Sequence, residues 1–141
     1  MNATAFVDTN VLLYTINVSP ADAHKAEAAI KLLGRPNLAI SVQVLSEFYV
    51  QATHPRSKQR LTPNEARQFL ASWRKYTVQE MTLPVFERAL GLVDRYVISL
   101  WDALILSAAA ELGCPTVYSE DLNDGQDYAG VRVCNPFAGI T

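Results

Sequence analysis

Residues 5–14 read AFVDTNVLLY: three apolar residues, an Asp-Thr-Asn step, then an apolar run again. Ala5-Phe6-Val7 has the make-up of a short buried strand, and the residues after it fit a short helix over about 9–15. An unpaired carboxylate held between two such stretches costs several kcal/mol. Asp8 is either the N-cap of that helix or a group whose charge meets something other than oil. The rest of the chain decides between these readings.

Outward from this stretch, apolar runs alternate with helical patterns. Ser19-Pro20-Ala21-Asp22 offers an N-cap, Pro at the first helical position and an acid at the third. The helix it opens carries Ala23, Ala26, Ile30 and Leu33 at helical spacing and stops at Gly34, with Pro36 beyond. Leu38-Ala39-Ile40 is the second strand. A helix from about Val42 shows a stripe of Leu45, Phe48, Tyr49 and Ala52 and ends near His54-Pro55. PRSKQR is loop-like. Thr62 to Glu65 is a capping box, opening a helix with Phe69, Leu70 and Trp73 on its apolar side. Tyr76 to Val78 fits a short strand, and about 83–96 a helix carrying Phe86, Ala89, Leu90 and Val93. Ser99 and Asp102 form a second capping box before ALILSAAAEL, which Gly113 stops. Thr116-Val117-Tyr118 and Val131-Arg132-Val133 are the last two strands. This order predicts an α/β fold with a mostly parallel central sheet covered by helices on both faces, three layers in all. With no repeat or linker in view, one domain over 1–141 is expected.

At 141 residues, 50% hydrophobic and 18% charged, the chain is long and apolar enough for one core, which excludes disorder as its main state. No apolar run reaches the roughly 18 residues of a membrane-spanning helix. The N-terminus shows no basic segment or cleavage-like site, so no signal peptide, no membrane and a cytoplasmic location are expected. Cys114 and Cys134 sit in apolar or strand-like surroundings and read as buried thiols, a disulfide being the alternative that a cytosolic context does not support. Two Cys and two separated His make no zinc pattern.

Charge is unevenly spread. Residues 1–80 carry nine Lys/Arg against six Asp/Glu, a balance of +3; residues 81–141 carry three against eight, a balance of −5. Within 54–75, six basic residues (Arg56, Lys58, Arg60, Arg67, Arg74 and Lys75) face Glu65 alone. That segment is either a solvated face or a rim that contacts phosphate.

Functional groups of open parallel sheets gather beyond the carboxyl ends of the strands. Asp8 follows the first strand, and Asp121 follows Thr116–Ser119. Glu47 lies on the helix after the second strand, and Asp102 opens the helix before the next one. Singly, each has an ordinary role: Asp8 and Asp102 in caps, Glu47 on a solvated face, Asp121 and Asp124 in turns. Together they can converge on one sheet edge. Like charges held close repel and raise one another's pKa, and a hard cation such as Mg²⁺ or Mn²⁺ reverses that penalty.

FVDTNVLLY, VLSEFYVQ, SLWDALILSAA and YSEDLNDGQDYAGVRVCNPF together resemble the PIN-domain ribonucleases, especially the VapC-like toxins of bacterial toxin–antitoxin pairs. The blocks span essentially the whole chain in the family's order. The resemblance implies a Mg²⁺- or Mn²⁺-dependent endoribonuclease leaving 5′-phosphate and 3′-hydroxyl ends, with Asp8, Glu47, Asp102 and Asp121 as the acidic quartet that binds metal. Asp124 matches an additional acid of one branch and is a fifth candidate metal ligand. Thr9 and Asn10 stand where the family has polar residues supporting the first acid, and Ser119 either orients a water or phosphate or is a plain strand-end hydroxyl. Many relatives carry Thr-x-Asp followed three positions on by an aromatic residue; here Ser119-Glu120-Asp121 is followed by Asp124, which leaves the division of roles between those two acids open. Arg56, Lys58 and Arg60 are candidates for holding the RNA backbone. An antitoxin partner and a homodimer are further expectations of the family, and Leu45, Tyr49 and Trp73 are either antitoxin contacts or core.

A response-regulator receiver also has an acidic pocket, but it needs a late Lys, and this chain has none after Lys75. A phosphatase with an Asp nucleophile wants a second acid where Asn10 stands. A PIN module that binds without cutting, or one that cuts DNA, is separated from a ribonuclease only by assay.

Overall fold

A computed structural model of the protein describes residues 3–17 and 19–140. β1 (Ala5–Val7), β2 (Leu38–Ser41), β3 (Thr77–Gln79), β4 (Thr116–Tyr118), β5 (Asp127–Tyr128) and β6 (Val131–Cys134) form one sheet in the order β3-β2-β1-β4-β6-β5. All neighbours are parallel except β5 and β6. β1 and β2 are buried along their whole length, as strands covered on both faces must be.

The helices are α1 (Thr9–Tyr14), α2 (Ala23–Leu33), α3 (Val42–Ala52), α4 (Pro63–Ser72), α5 (Leu83–Tyr96) and α6 (Leu100–Glu111). Moving from β1 to β2 to β3, the chain steps one way across the sheet, then returns over it to β4. Right-handed crossovers therefore put α1 to α4 on one face and α5 with α6 on the other. Packing agrees: α1 lies against α2 and α3, α3 against α4, and α5 against α6. α6 is buried from Ala103 to Ala109 because it is wedged between the sheet and α5, which is why it is apolar all round.

Several local expectations hold. Thr62 and Glu65 make the reciprocal capping box at α4. Trp73 is buried, edge-on to Phe48 at 4.6 Å, and Leu45 and Tyr49 pack against the core. Gly113 ends α6 with φ +72, a conformation that costs glycine nothing.

Others need correction. Ser19 makes no side-chain cap; Pro20–Asp22 is a 3₁₀ turn and α2 begins at Ala23. Its buried face is Ala26, Ala29, Leu32 and Leu33, with Ile30 outside. On α5, Val85, Ala89 and Leu92 face inward, while Phe86 and Leu90 are exposed. β6 alternates, burying Val131 and Val133 and leaving Arg132 and Cys134 outside, so only Cys114 is a buried thiol. Among the described residues, no helix is long and apolar enough to cross a membrane.

Candidate active site

The strand order reverses between β1 and β4, and the crevice at such a reversal is where open α/β sheets bind ligands. In the register of β1 with β4, Val7 lies opposite Tyr118, so Asp8 and Ser119 leave the sheet side by side. Asp8 N–H continues the ladder to Tyr118 O at 3.0 Å. α3 starts directly after β2 and brings Glu47 to the same edge. α6 runs antiparallel to the β4 it precedes, so its first turn, with Asp102, also lies there.

A pocket of about 80 Å³ opens at this edge, lined by Asp8, Thr9, Asn10, Leu13, Glu47, Gln51, Trp101, Asp102, Ile105 and Asp121. All four acids of the predicted quartet line it, and none of the lining residues is basic.

Three of the four carboxylates accept hydrogen bonds from neighbouring groups. Asp8 is 4% exposed. Its Oδ1 accepts from Thr9 N–H at 2.7 Å, the helix cap, and its Oδ2 accepts from the Ser119 hydroxyl at 2.7 Å. Both readings of Asp8 are therefore true at once: it caps α1 and faces the pocket. Glu47 Oε1 accepts from Thr9 Oγ1 at 3.3 Å and from Gln43 Nε2 at 3.0 Å. Asn10 Nδ2 donates to Asp121 Oδ2 at 3.1 Å and reaches Asp8 Oδ2 at 3.4 Å, tying the two acids together. Asp102 donates its N–H to Ser99 Oγ at 3.1 Å, but its carboxylate does not close a full capping box. Behind the pocket, Glu120 takes Tyr14 OH at 2.8 Å and Lys25 Nζ at 2.9 Å, which fastens the Asp121 loop to α1 and α2.

Burial pushes the Asp8 carboxyl up to about 6; the hydrogen bonds from Ser119 and Thr9 oppose the rise, and repulsion from Asp121 and Glu47 adds to it. Burial, with Asp121 nearby, also raises Asp102 above the ordinary carboxylate range. Among the described residues, no three His, Cys, Asp or Glu side chains already stand close enough to make a metal-binding set. The donor chemistry still suits a hard divalent cation: four carboxylates, amide and hydroxyl neighbours, and no competing positive charge in the lining. Mg²⁺ keeps several waters and takes only one or two carboxylates directly, so it does not require a closed cage.

Not every candidate gathers here. Asp124 lies outside the lining and accepts Asn135 N–H at 2.8 Å, holding the turn after β6. Ser119 is fully buried and serves Asp8 rather than the pocket opening. Arg56, Lys58 and Arg60 are exposed on the loop after α3, which Leu61 N–H pins to Ala52 O at 2.8 Å. Among the described residues none of the three forms a salt bridge.

Gln43 was not singled out by the sequence reading. It is 8% exposed, and its Nε2 also donates to Trp101 O at 3.2 Å, bridging α3 to α6. Both partners are acceptors, which fixes the amide orientation and leaves Oε1 buried without a partner among the described residues. The available signal was its place four residues before Glu47, one helical turn away.

Fold and pocket together define an α/β protein with an acidic, cation-attracting crevice at the switch point of a parallel sheet. The PIN domain family model matches residues 5–127, and the chain belongs to that family. Comparison with curated proteins gave no match. Solved structures of similar fold include VapC20 of Mycobacterium tuberculosis, a sarcin–ricin loop cleaving toxin: 21% identity, 84% of this chain, 90% of that one, TM-score 0.66. A toxin–antitoxin complex from Klebsiella pneumoniae gives 22% identity, 94% and 98% coverage, and TM-score 0.67. FitAcB from Neisseria gonorrhoeae gives 16%, 95% and 99%, and 0.66. At these identities the likeness concerns the fold.

Proposed function

We propose that this protein is a divalent-metal-dependent endoribonuclease that hydrolyses RNA phosphodiester bonds, and that it is the toxin of a type II toxin–antitoxin pair. The observation that carries the reading is the single pocket lined by Asp8, Glu47, Asp102 and Asp121 with no basic residue among them. Membership of the PIN domain family and a fold shared with solved toxins support it.

Asp8, Glu47, Asp102 and Asp121 would hold Mg²⁺ or Mn²⁺; Asp124, occupied with the Asn135 turn, is left a structural role. When bound, such a cation neutralises phosphate charge and makes a water more acidic. The chain's own residues do the positioning. Ser119 and Thr9 fix Asp8, Thr9 and Gln43 fix Glu47, and Asn10 sets Asp121 against Asp8. Arg56, Lys58 and Arg60 counter the repulsion that an acidic pocket exerts on an RNA backbone. An antitoxin and a second copy of the chain are the proposed protein partners.

Purified protein incubated with labelled RNA and DNA in Mg²⁺, Mn²⁺ or EDTA tests the activity. Cleavage of RNA that EDTA stops is the expected result. Cutting of DNA alone, or binding without cutting, overturns it. Growth arrest on expression, relieved by a small protein encoded alongside, tests the toxin assignment.

A further inference from the structure

The rim of the acidic pocket carries an aromatic side chain that stands outside the hydrophobic core. Trp101, second residue of α6, is 64% exposed, yet it lines the pocket together with Asp102, Glu47 and Asp121. The chain's other tryptophan, Trp73, is 5% exposed and packed on Phe48 and Phe69. Among the described residues, the Trp101 ring stacks on no other aromatic ring and its indole N–H has no hydrogen-bond partner. Its backbone, by contrast, is held: it lies in the first turn of a buried helix, and its carbonyl takes the Gln43 amide at 3.2 Å. A large flat apolar surface, fixed at its base and free at its tip, stands beside the acids.

The four acids of the pocket are placed to take a phosphate through a bound cation. The base next to the cut bond then falls toward the rim, where Trp101 is the only aromatic side chain in a lining otherwise of carboxylates, amides, a hydroxyl, Leu13 and Ile105. Bases of single-stranded RNA bind by stacking on exposed aromatic rings, with little dependence on sequence. A platform pinned through its backbone also loses little freedom when a base settles on it.

We propose that the Trp101 indole is a stacking platform for one unpaired base adjoining the scissile phosphate. The proposal rests on the ribonuclease reading and adds a substrate-binding residue to it.

The test uses a short unpaired RNA oligonucleotide that the wild-type protein cuts at one bond, together with versions carrying a single abasic position at each site around that bond. Trp101→Ala should lower kcat/KM roughly 5- to 150-fold, the range for losing one base–aromatic stack. Trp101→Phe should retain most of the activity. One abasic position next to the cut should abolish the difference between wild type and Trp101→Ala, and the others should preserve it. Mn²⁺ affinity by calorimetry should be the same in all three proteins. Unchanged kcat/KM in Trp101→Ala overturns the proposal, as does a loss that no abasic position absorbs. A variant that cuts normally but no longer self-associates, or no longer binds an antitoxin, assigns the indole to a protein contact and overturns it too. If wild type cuts no RNA, the ribonuclease reading itself fails, which is distinguishable from all of these.

Discussion

The Ser119 hydroxyl donates to Asp8 Oδ2 at 2.7 Å, joining two residues that lie 111 positions apart. The same Ser119 oxygen accepts Asp121 N–H at 3.1 Å, so one buried side chain positions two acids of the pocket. Ser119→Ala removes both contacts. It should lower cleavage about 10- to 100-fold, the usual cost of losing a group that orients a ligand side chain. It should also weaken Mn²⁺ binding, measured by calorimetry. Full activity in this variant would show that Asp8 is set by the helix cap alone.

Asp8 makes the metal-free protein pH-sensitive. Its carboxyl titrates at about 6 in the fold against 3.8 as the ordinary value. The fold therefore prefers the protonated acid. The stability this contributes is fully present below about pH 4 and is lost as pH rises through about 6, on the order of 3 kcal/mol in all. In EDTA, Asp8→Asn should be more stable than wild type at pH 8, and the gap should close toward pH 4. Urea unfolding at several pH values measures it; a gap that does not vary with pH counts against burial as the cause.

Asp121 and Asp124 should separate cleanly. Asp121→Asn should abolish cleavage with little change in unfolding. Asp124→Ala leaves Asn135 N–H without its acceptor and should cost about 1 kcal/mol of stability while keeping activity within about twofold. The reverse outcome would move Asp124 into the metal set.

Gln43→Leu separates positioning from stability. The change removes an orphaned buried oxygen along with two hydrogen bonds, so the unfolding free energy should move by less than about 1 kcal/mol. Cleavage should fall about tenfold or more because Glu47 keeps only the Thr9 hydroxyl. Loss of stability without loss of rate would make Gln43 a purely structural tie.

Replacing Arg56, Lys58 and Arg60 with Ala together should weaken RNA binding and flatten its salt dependence, by about two units of log–log slope if all three meet phosphates. Binding titrations across a range of salt concentrations read both effects. An unchanged slope assigns the loop to solvent.

Local chemistry made much of this molecule legible. Ala5-Phe6-Val7 and Leu38-Ala39-Ile40 are continuous apolar triplets and become the buried parallel strands β1 and β2. The Thr62–Glu65 box and the all-apolar run of α6 mark their helices because capping and total burial leave traces within a few residues. Asp8 and Asp121 stand directly after β1 and β4, where a parallel sheet places its open edge, and both line the pocket. Helix faces were harder. Ile30, Phe86 and Leu90 share helical spacing with true core positions, and only the neighbouring elements decide which side of the helix is covered.

Composition and the order of the main strands and helices were thus determined by the sequence alone, because each is written in short-range pattern. Tertiary structure alone decided that Asp121 lines the pocket and Asp124 does not, that Cys134 faces outward, and that Gln43 reaches from α3 to α6. The two-residue β5 belongs with these, since Asp127 and Tyr128 form a strand only through pairing with β6. Such relations are set by which distant backbone and side-chain groups satisfy one another. Hydrogen bonds that cross more than a hundred residues leave no local trace.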